Sequence, residues 1–391
     1  MAVFAGPMAA RLAQIEPFYV MEIMKEAARL QASGRSIIHL SIGEPDFTAP
    51  LPVTRAATDA LASGRLQYTP ATGLNSLREA IAADYARTFG VAVDPSRVIV
   101  TAGASAALLL AFGSLVDVGA EVLMPDPSYP CNRHFVAAFN GVAKLVPCGP
   151  ATRFQLDDDL VQANWSAQTR GILLATPSNP TGTSIQPPVL ARTIEATRQR
   201  NGFVVIDEIY QRLAYDAAPT TALSLRDDLF ILNSFSKYFN MTGWRLGWMV
   251  VPQACVADLE KLAQNLFVCP SALAQHAAVH CFSSEALEIY EARRAEFRRR
   301  RDYLLTELRR LGIAVPVAPD GAFYIYADIR RFSDDSWRFA YDLLQSAGVC
   351  LVPGRDFGRS DTSHYVRISY ATDLARLQEA IQRIERFIGQ R

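Results

Sequence analysis

Lysine is scarce in this 391-residue chain: of 39 lysines and arginines, only Lys25, Lys144, Lys237 and Lys261 are lysine. A guanidinium does not form an imine, so chemistry that joins a carbonyl compound to an amine has few places to occur. Lys25 in E-I-M-K-E-A and Lys261 in D-L-E-K-L-A read as exposed helix positions, and Lys144 follows a Gly-Val-Ala turn. Lys237 differs, because it closes the polar segment N-S-F-S-K directly after the apolar pair Ile231–Leu232. A lysine after a strand is, taken alone, more often a solvated loop residue. Buried, with its pKa lowered, it attacks carbonyl carbon.

Other residues suited to such chemistry follow apolar runs in the same way. Asp207 closes F-V-V-I-D and is followed by Glu208 and Tyr210. A carboxylate there is costly to bury without a partner. It reads either as a cap or surface turn, or as the counter-ion of a protonated ring nitrogen such as that of pyridoxal 5'-phosphate (PLP). Asn179 lies in T-P-S-N-P-T-G after Ile172–Ala175. Gly103-Ala104-Ser105 precedes A-A-L-L-L-A, so a helix start offers free N–H groups to a phosphate. Ser234 adds a hydroxyl and Arg245 a two-pronged guanidinium. A G-A-S helix start by itself is usually only a cap.

These residues need a scaffold that brings strand ends together. Val98–Thr101, Glu121–Met124, Gly171–Ala175, Phe203–Asp207, Phe230–Asn233 and Leu246–Val251 read as strands, many of them continuously apolar. Such runs suit a largely parallel sheet buried on both faces. Helical stretches at Ala106–Leu115, Val189–Arg200 and Ala254–Asn265 alternate with them, which predicts an α/β fold. In that architecture ligands sit beyond the carboxyl ends of the strands, where the polar residues fall. After about Cys281 the texture changes. Ser284–Leu311 reads as one long helix ended by Gly312, followed by a strand at Ala322–Ala327, a helix near Trp337–Ser346, strands near Cys350 and Tyr365–Ser369, and a last helix from Asp373. The predicted division is an arm and N-terminal segment at 1–45, a large domain at 46–281 and a small α+β domain at 282–391, with the N-terminal segment packing on the small domain.

Composition narrows the classes. Positive and negative charges balance at 39 each, which advertises no nucleic-acid face. No apolar run approaches a membrane span, and the opening residues lack a leader pattern, so no membrane partner and a cytoplasmic location are expected. Six scattered cysteines without a C-x-x-C pair point to no metal site and no disulfide framework.

The segment S-F-S-K-Y-F-N-M-T-G-W-R-L-G, Ser234 to Gly247, resembles the lysine-attachment signature of the class-I/II aminotransferases of PLP fold type I, the aspartate aminotransferase-like superfamily. Further matches occur in order along nearly the whole chain: S-I-G-E-P-D-F from Ser41, Y-T-P-A-T-G from Tyr68, P-D-P-S-Y-P from Pro125, S-N-P-T-G from Ser178, D-E-I-Y from Asp207, D-G-A-F-Y from Asp320 and Y-V-R-I-S-Y-A from Tyr365. The resemblance implies a large PLP-binding domain with a seven-stranded, mainly parallel sheet flanked by helices, and a smaller α+β domain. It implies a Schiff base on Lys237, which also shuttles the α-proton, with Asp207 pairing the ring nitrogen. Tyr210 and Asn179 would bond the ring oxygen and Tyr129 would stack on the ring. Ser234, Arg245, Ala104 and Ser105 would bind phosphate, joined by Tyr68 from the neighbouring subunit of a homodimer. Arg367 would hold the substrate α-carboxylate, helped by Gly43 and Asn179. Ser236 is open between a second phosphate hydroxyl and a filler.

The reaction so implied moves an α-amino group between an L-amino acid and a 2-oxo acid in two halves. The nearest alternative is a PLP-dependent carbon–sulfur lyase or other elimination enzyme, which the lysine motif does not separate. A non-catalytic sensor of PLP or amino acids is disfavoured because the family core starts within about forty residues, where an added DNA-binding domain would be expected, and a retired enzyme serving as a scaffold is disfavoured by the presence of Lys237, Asp207 and Arg367 together. The apolar stretch Ile15–Met21 favours alanine, branched-chain or aromatic substrates, while the thirty-five arginines leave aspartate and glutamate open.

Overall fold

A computed structural model describes residue 6 and residues 8–390 of the chain. The rest of the predicted arm, and Arg391, lie outside the described residues. A seven-stranded sheet organises the middle of the chain, in the order Val98–Thr101, Gly247–Val250, Phe230–Ser234, Phe203–Asp207, Thr169–Ala175, Glu121–Asp126 and Val142–Pro147. All neighbouring pairs are parallel except those of Gly247–Val250, which runs antiparallel to both its neighbours.

The continuous apolar runs follow from the side-chain period of two. Ile172, Leu174, Val204, Ile206 and Ile231 point into one apolar cluster, while the intervening Leu173, Val205 and Leu232 point into another. Helices cover both faces, so both sets are buried. Gly103–Leu115 and Val256–Phe267 pack over the second cluster. Each begins or ends within a few residues of its predicted limits.

Two strands, Ile38–His39 and Val142–Pro147, were not expected. Val142–Pro147 forms an edge of the sheet, and Lys144 lies within it rather than after a turn. Its Nζ donates to the Asn164 carbonyl at 2.7 Å. Val98–Thr101, the opposite edge, is buried throughout, whereas Val142–Pro147 is mostly part-exposed and Lys144 interrupts its apolar run.

The long helix runs Ser284–Arg310. Gly312 takes φ +72° just beyond it, and the next N–H, that of Ile313, donates back to Leu308 O at 2.9 Å. An antiparallel three-stranded sheet follows, in the order Val352–Pro353, Tyr365–Ser369, Tyr324–Asp328. The helix Ser336–Ala347 packs on this sheet, and Leu374–Ile388, capped by the Asp373 side chain, packs against Ser336–Ala347 and Ser284–Arg310. Ile38–His39 pairs in parallel with Val349–Cys350, which stitches the N-terminal segment to this part of the chain. The first apolar cluster extends from Ile23 through the large sheet to Phe387 without interruption. Among the described residues no helix is long and apolar enough to cross a membrane.

Candidate active site

Four parallel strands and one neighbouring antiparallel pair deliver polar residues to a single rim. Asp207 ends its strand, Ser234 ends the next, and Lys237 follows in the turn after it. Asn179 follows Thr169–Ala175, and Tyr129 follows Glu121–Asp126. At the sheet's antiparallel end, Val98–Thr101 leads into the helix start at Gly103. A cavity of about 500 Å³ lies there, lined by Lys237, Asp207, Tyr210, Asn179, Arg245 and Arg367 among others. Gly43, Ala104, Ser105, Tyr129, Ser234 and Ser236 also face it. Tyr68 is not among the lining residues, and its side chain is 86% exposed.

Lys237 Nζ donates to the Gly43 carbonyl at 2.5 Å. Burial, followed by the positive Arg367, pulls its pKa from the usual lysine range down to about 8, so a useful share of the amine is neutral near physiological pH. Asp207 shares the cavity. Its Oδ1 accepts from Ile209 N at 3.0 Å. Burial raises its pKa to about 6, against the opposing pull of that N–H and of Lys237. A cationic partner in the cavity would restore its full charge. The next residue, Glu208, is wholly buried. It accepts from Ala222 N at 2.7 Å, and burial pushes its pKa up to about 8.

Arg367, 6% exposed, is held from both sides: Nη1 donates to Asn179 Oδ1 at 2.9 Å and Nη2 to Ser41 O at 2.6 Å. Its guanidinium lies 4.3 Å from the centre of the Tyr324 ring and 5.0 Å from that of Phe357. Its Nε is buried and has no protein acceptor, as expected of a fork awaiting an anion. Tyr210 OH and Tyr324 OH are 2.9 Å apart.

The phosphate of PLP fits the other end of the cavity. No side chain caps the helix Gly103–Leu115, so its first N–H groups are free of a side-chain acceptor. Gly103 has φ +82°, and a Cβ there would stand 2.6 Å from Arg245 Nη2. Glycine therefore lets a guanidinium close on the helix start. Gly247 does the same for the backbone: a Cβ would meet Asn233 O at 2.8 Å and Ala104 N at 2.9 Å. Ser234 Oγ donates to Ser236 Oγ at 3.0 Å, placing two hydroxyls together at this rim. Arg245 itself stays exposed, with Nη1 donating to Thr242 O at 2.9 Å.

Several lining residues had no assigned role from sequence. Within Ile15–Met21, Phe18, Val20 and Met21 line the cavity, whereas Glu16 and Tyr19 line a separate cleft with Arg133. Met24, Tyr324, Val352, Asp356 and Phe357 also line the cavity. D-G-A-F-Y carried a signal for Tyr324; the P-G-R-D-F stretch carried none.

A cavity that joins a buried amine, a buried carboxylate and a phosphate cradle at the carboxyl edge of a seven-stranded sheet defines a PLP enzyme of fold type I. The sequence model of the family described as "Aminotransferase class I and II" matches residues 35–384. The chain belongs to that family and is a PLP-dependent aminotransferase, acting on amino acids and 2-oxo acids. It is 40% identical to a valine–pyruvate aminotransferase of Mycobacterium tuberculosis over 95% of this chain and 96% of the relative. It is 32% identical to an aspartate aminotransferase of Geobacillus stearothermophilus over 98% of this chain and 99% of that one. A crystal structure of an aminotransferase from M. tuberculosis superposes with a TM-score of 0.95 at 40% identity, covering 99% of this chain and all of the other. Thermus thermophilus aspartate aminotransferase with maleate gives 0.92 at 32% identity, over 97% and 99%. These relatives favour transamination over elimination.

Proposed function

We propose that Lys237 carries this chain's transamination, holding PLP covalently between turnovers and moving the substrate α-proton on its Nζ. The observation behind this is that Lys237 is the one lysine among the cavity's lining residues and shares that cavity with Asp207 and Arg367. When bound, PLP supplies an aldehyde carbon to receive the amino group and a ring that takes up the electron pair left as the Cα–H bond breaks. Arg367, fixed by Asn179 and Ser41, takes the α-carboxylate and so orients the Cα–H bond toward Lys237. Lys237 Nζ accepts that proton and returns it, a task suited to an amine with a pKa of about 8. Asp207 holds a proton on the ring nitrogen, while Tyr210 and Asn179 serve the ring oxygen and Tyr129 its face. Ser234, Arg245 and the N–H groups of Ala104 and Ser105 take the phosphate, with Ser236 as a further hydroxyl. Gly43, whose carbonyl accepts from Lys237 Nζ, helps Arg367 at the α-carboxylate end.

The exposed Tyr68 fits a homodimer in which it completes the partner's phosphate site. Residues 46–281 would then form the large domain, with 1–45 and 282–391 building the small one.

The test is Lys237→Ala. Transamination falls by more than about 10⁴-fold, and the purified variant lacks the visible absorption band of lysine-bound PLP. Turnover near the wild-type rate would remove Lys237 from this role.

A further inference from the structure

The cavity wall that carries Phe357, whose ring centre lies 5.0 Å from the Arg367 guanidinium, is apolar and braced. The helix Tyr19–Ala32 contributes Val20, Met21 and Met24 to the lining, with Phe18 just before it, and the C-terminal part adds Val352 and Phe357. No side chain of its own segment caps that helix. Instead Asp356, 337 positions away from Tyr19 and 2% exposed, accepts from Tyr19 N at 2.9 Å and Val20 N at 2.8 Å, one N–H on each carboxylate oxygen. The loop carrying Asp356 and Phe357 is tied in turn to the large sheet. Ser128 N donates to Phe357 O at 2.8 Å, and Asp126 accepts from Arg359 N at 3.0 Å and Ser360 N at 3.1 Å. Gly358 presses so close that a Cβ would stand 1.6 Å from Asp126 Oδ1.

The charges around this cavity are few. Its lining cations are Lys237, Arg245 and Arg367, which serve the cofactor and the α-carboxylate in the proposed function. Its other lining charges are the anions Asp207, Glu44 and Asp356. The nearby guanidinium groups lie against a separate cleft, with Nε of Arg133 and of Arg355 buried and without an acceptor there. Arg133 and Arg359 pair with Glu16 at 3.3 and 3.1 Å, and Arg355 lies 4.5 Å from the Tyr19 ring centre and 4.3 Å from that of Trp337. All three line the separate cleft rather than the cavity. A second substrate carboxylate would lose its water without gaining a further cation from the described residues that line the cavity.

We infer that the site selects apolar, monocarboxylic substrates in both half-reactions, with Asp356 as the positioning residue of the wall that does so. Branched or thioether L-amino acids are the donors and monocarboxylic 2-oxo acids the acceptors, while aspartate, glutamate and 2-oxoglutarate are rejected. This rests on the transaminase reading.

The experiment mixes the holoenzyme with one amino acid at a time and follows loss of the cofactor's visible band. Valine, leucine and methionine are expected to exceed aspartate and glutamate in kcat/KM by about 100-fold or more. Pyruvate and 2-oxoisovalerate should exceed 2-oxoglutarate similarly in the reverse half. A ratio below tenfold overturns the inference and leaves transamination standing, because a guanidinium must then reach the site from another chain. No response to any amino acid instead removes the transaminase reading itself. For the positioning role, Asp356→Asn is expected to raise the KM for valine more than it lowers kcat and to shrink the valine-to-glutamate ratio about tenfold. Rates that fall together at an unchanged ratio would show that Asp356 only supports the fold.

Discussion

At the residue scale, the property that matters most is the proton on Lys237. An ordinary lysine, with a pKa near 10.4, is neutral in about one molecule in 2,500 at pH 7. Burial beside Arg367 brings Lys237 to about 8, so roughly a tenth is neutral there and nine-tenths at pH 9. Only the neutral amine attacks an aldehyde. The apoprotein should therefore capture added PLP at a rate that climbs about tenfold for each pH unit below 7 and levels off above pH 8. Stopped-flow absorbance between pH 6 and 10 checks this, and a midpoint above pH 10 would mean an amine that the cavity does not perturb.

At the element scale, the phosphate cradle depends on a close approach between Gly247, opening its strand, and the start of the helix Gly103–Leu115. A methyl group at Gly247 would overlap backbone on both sides, at Asn233 O and Ala104 N, and neither is free to swing away. Gly247→Ala should cost about 1–3 kcal/mol of stability and weaken PLP binding at least about tenfold, read by the melting temperature and by titration of the apoprotein. The elements around this cradle were legible because their signals are local. Phe203–Asp207 and Phe230–Ser234 are apolar on both faces and end on the polar residues that mark the rim. Lys237, Asp207, Asn179 and Arg245 were therefore open to reading by type and position, whereas Arg367 came only from the family resemblance of Y-V-R-I-S-Y-A. The strand Val142–Pro147 was not legible, since Lys144 interrupts its short apolar run after Gly141. The Asp356 brace was illegible for another reason. It joins residues 337 positions apart, and nothing in V-P-G-R-D-F-G announces where its carboxylate goes.

At the scale of the whole molecule, one strained turn bears on assembly. The helix Val256–Phe267 ends at Val268, which adopts φ +64° and ψ −68° while Cys269 N donates to Phe267 O at 2.8 Å. This is the φ-positive γ-turn, rare for any residue and worse for a β-branched one. Such strain costs about 1–3 kcal/mol and persists where the surroundings over-determine it. Within one chain little does so, because Val268 is 53% exposed. The turn leads to Gln275, whose Nε2 donates to Thr69 Oγ1 at 3.0 Å, so it borders the segment carrying the exposed Tyr68. A partner chain seated over both would account for the strained valine and for the outlying tyrosine together. The enzyme should accordingly sediment as a dimer. Val268→Gly separates the cases by sign. If the turn faces water, glycine relieves the strain and raises stability by about 1 kcal/mol. If a partner packs on the valine, removing its side chain loosens the dimer, and the dissociation constant rises about tenfold as the loss of a buried branched side chain outweighs the relief. The second outcome is expected. A stabilised variant that sediments as a monomer, like its parent, would leave Tyr68 with no phosphate to reach.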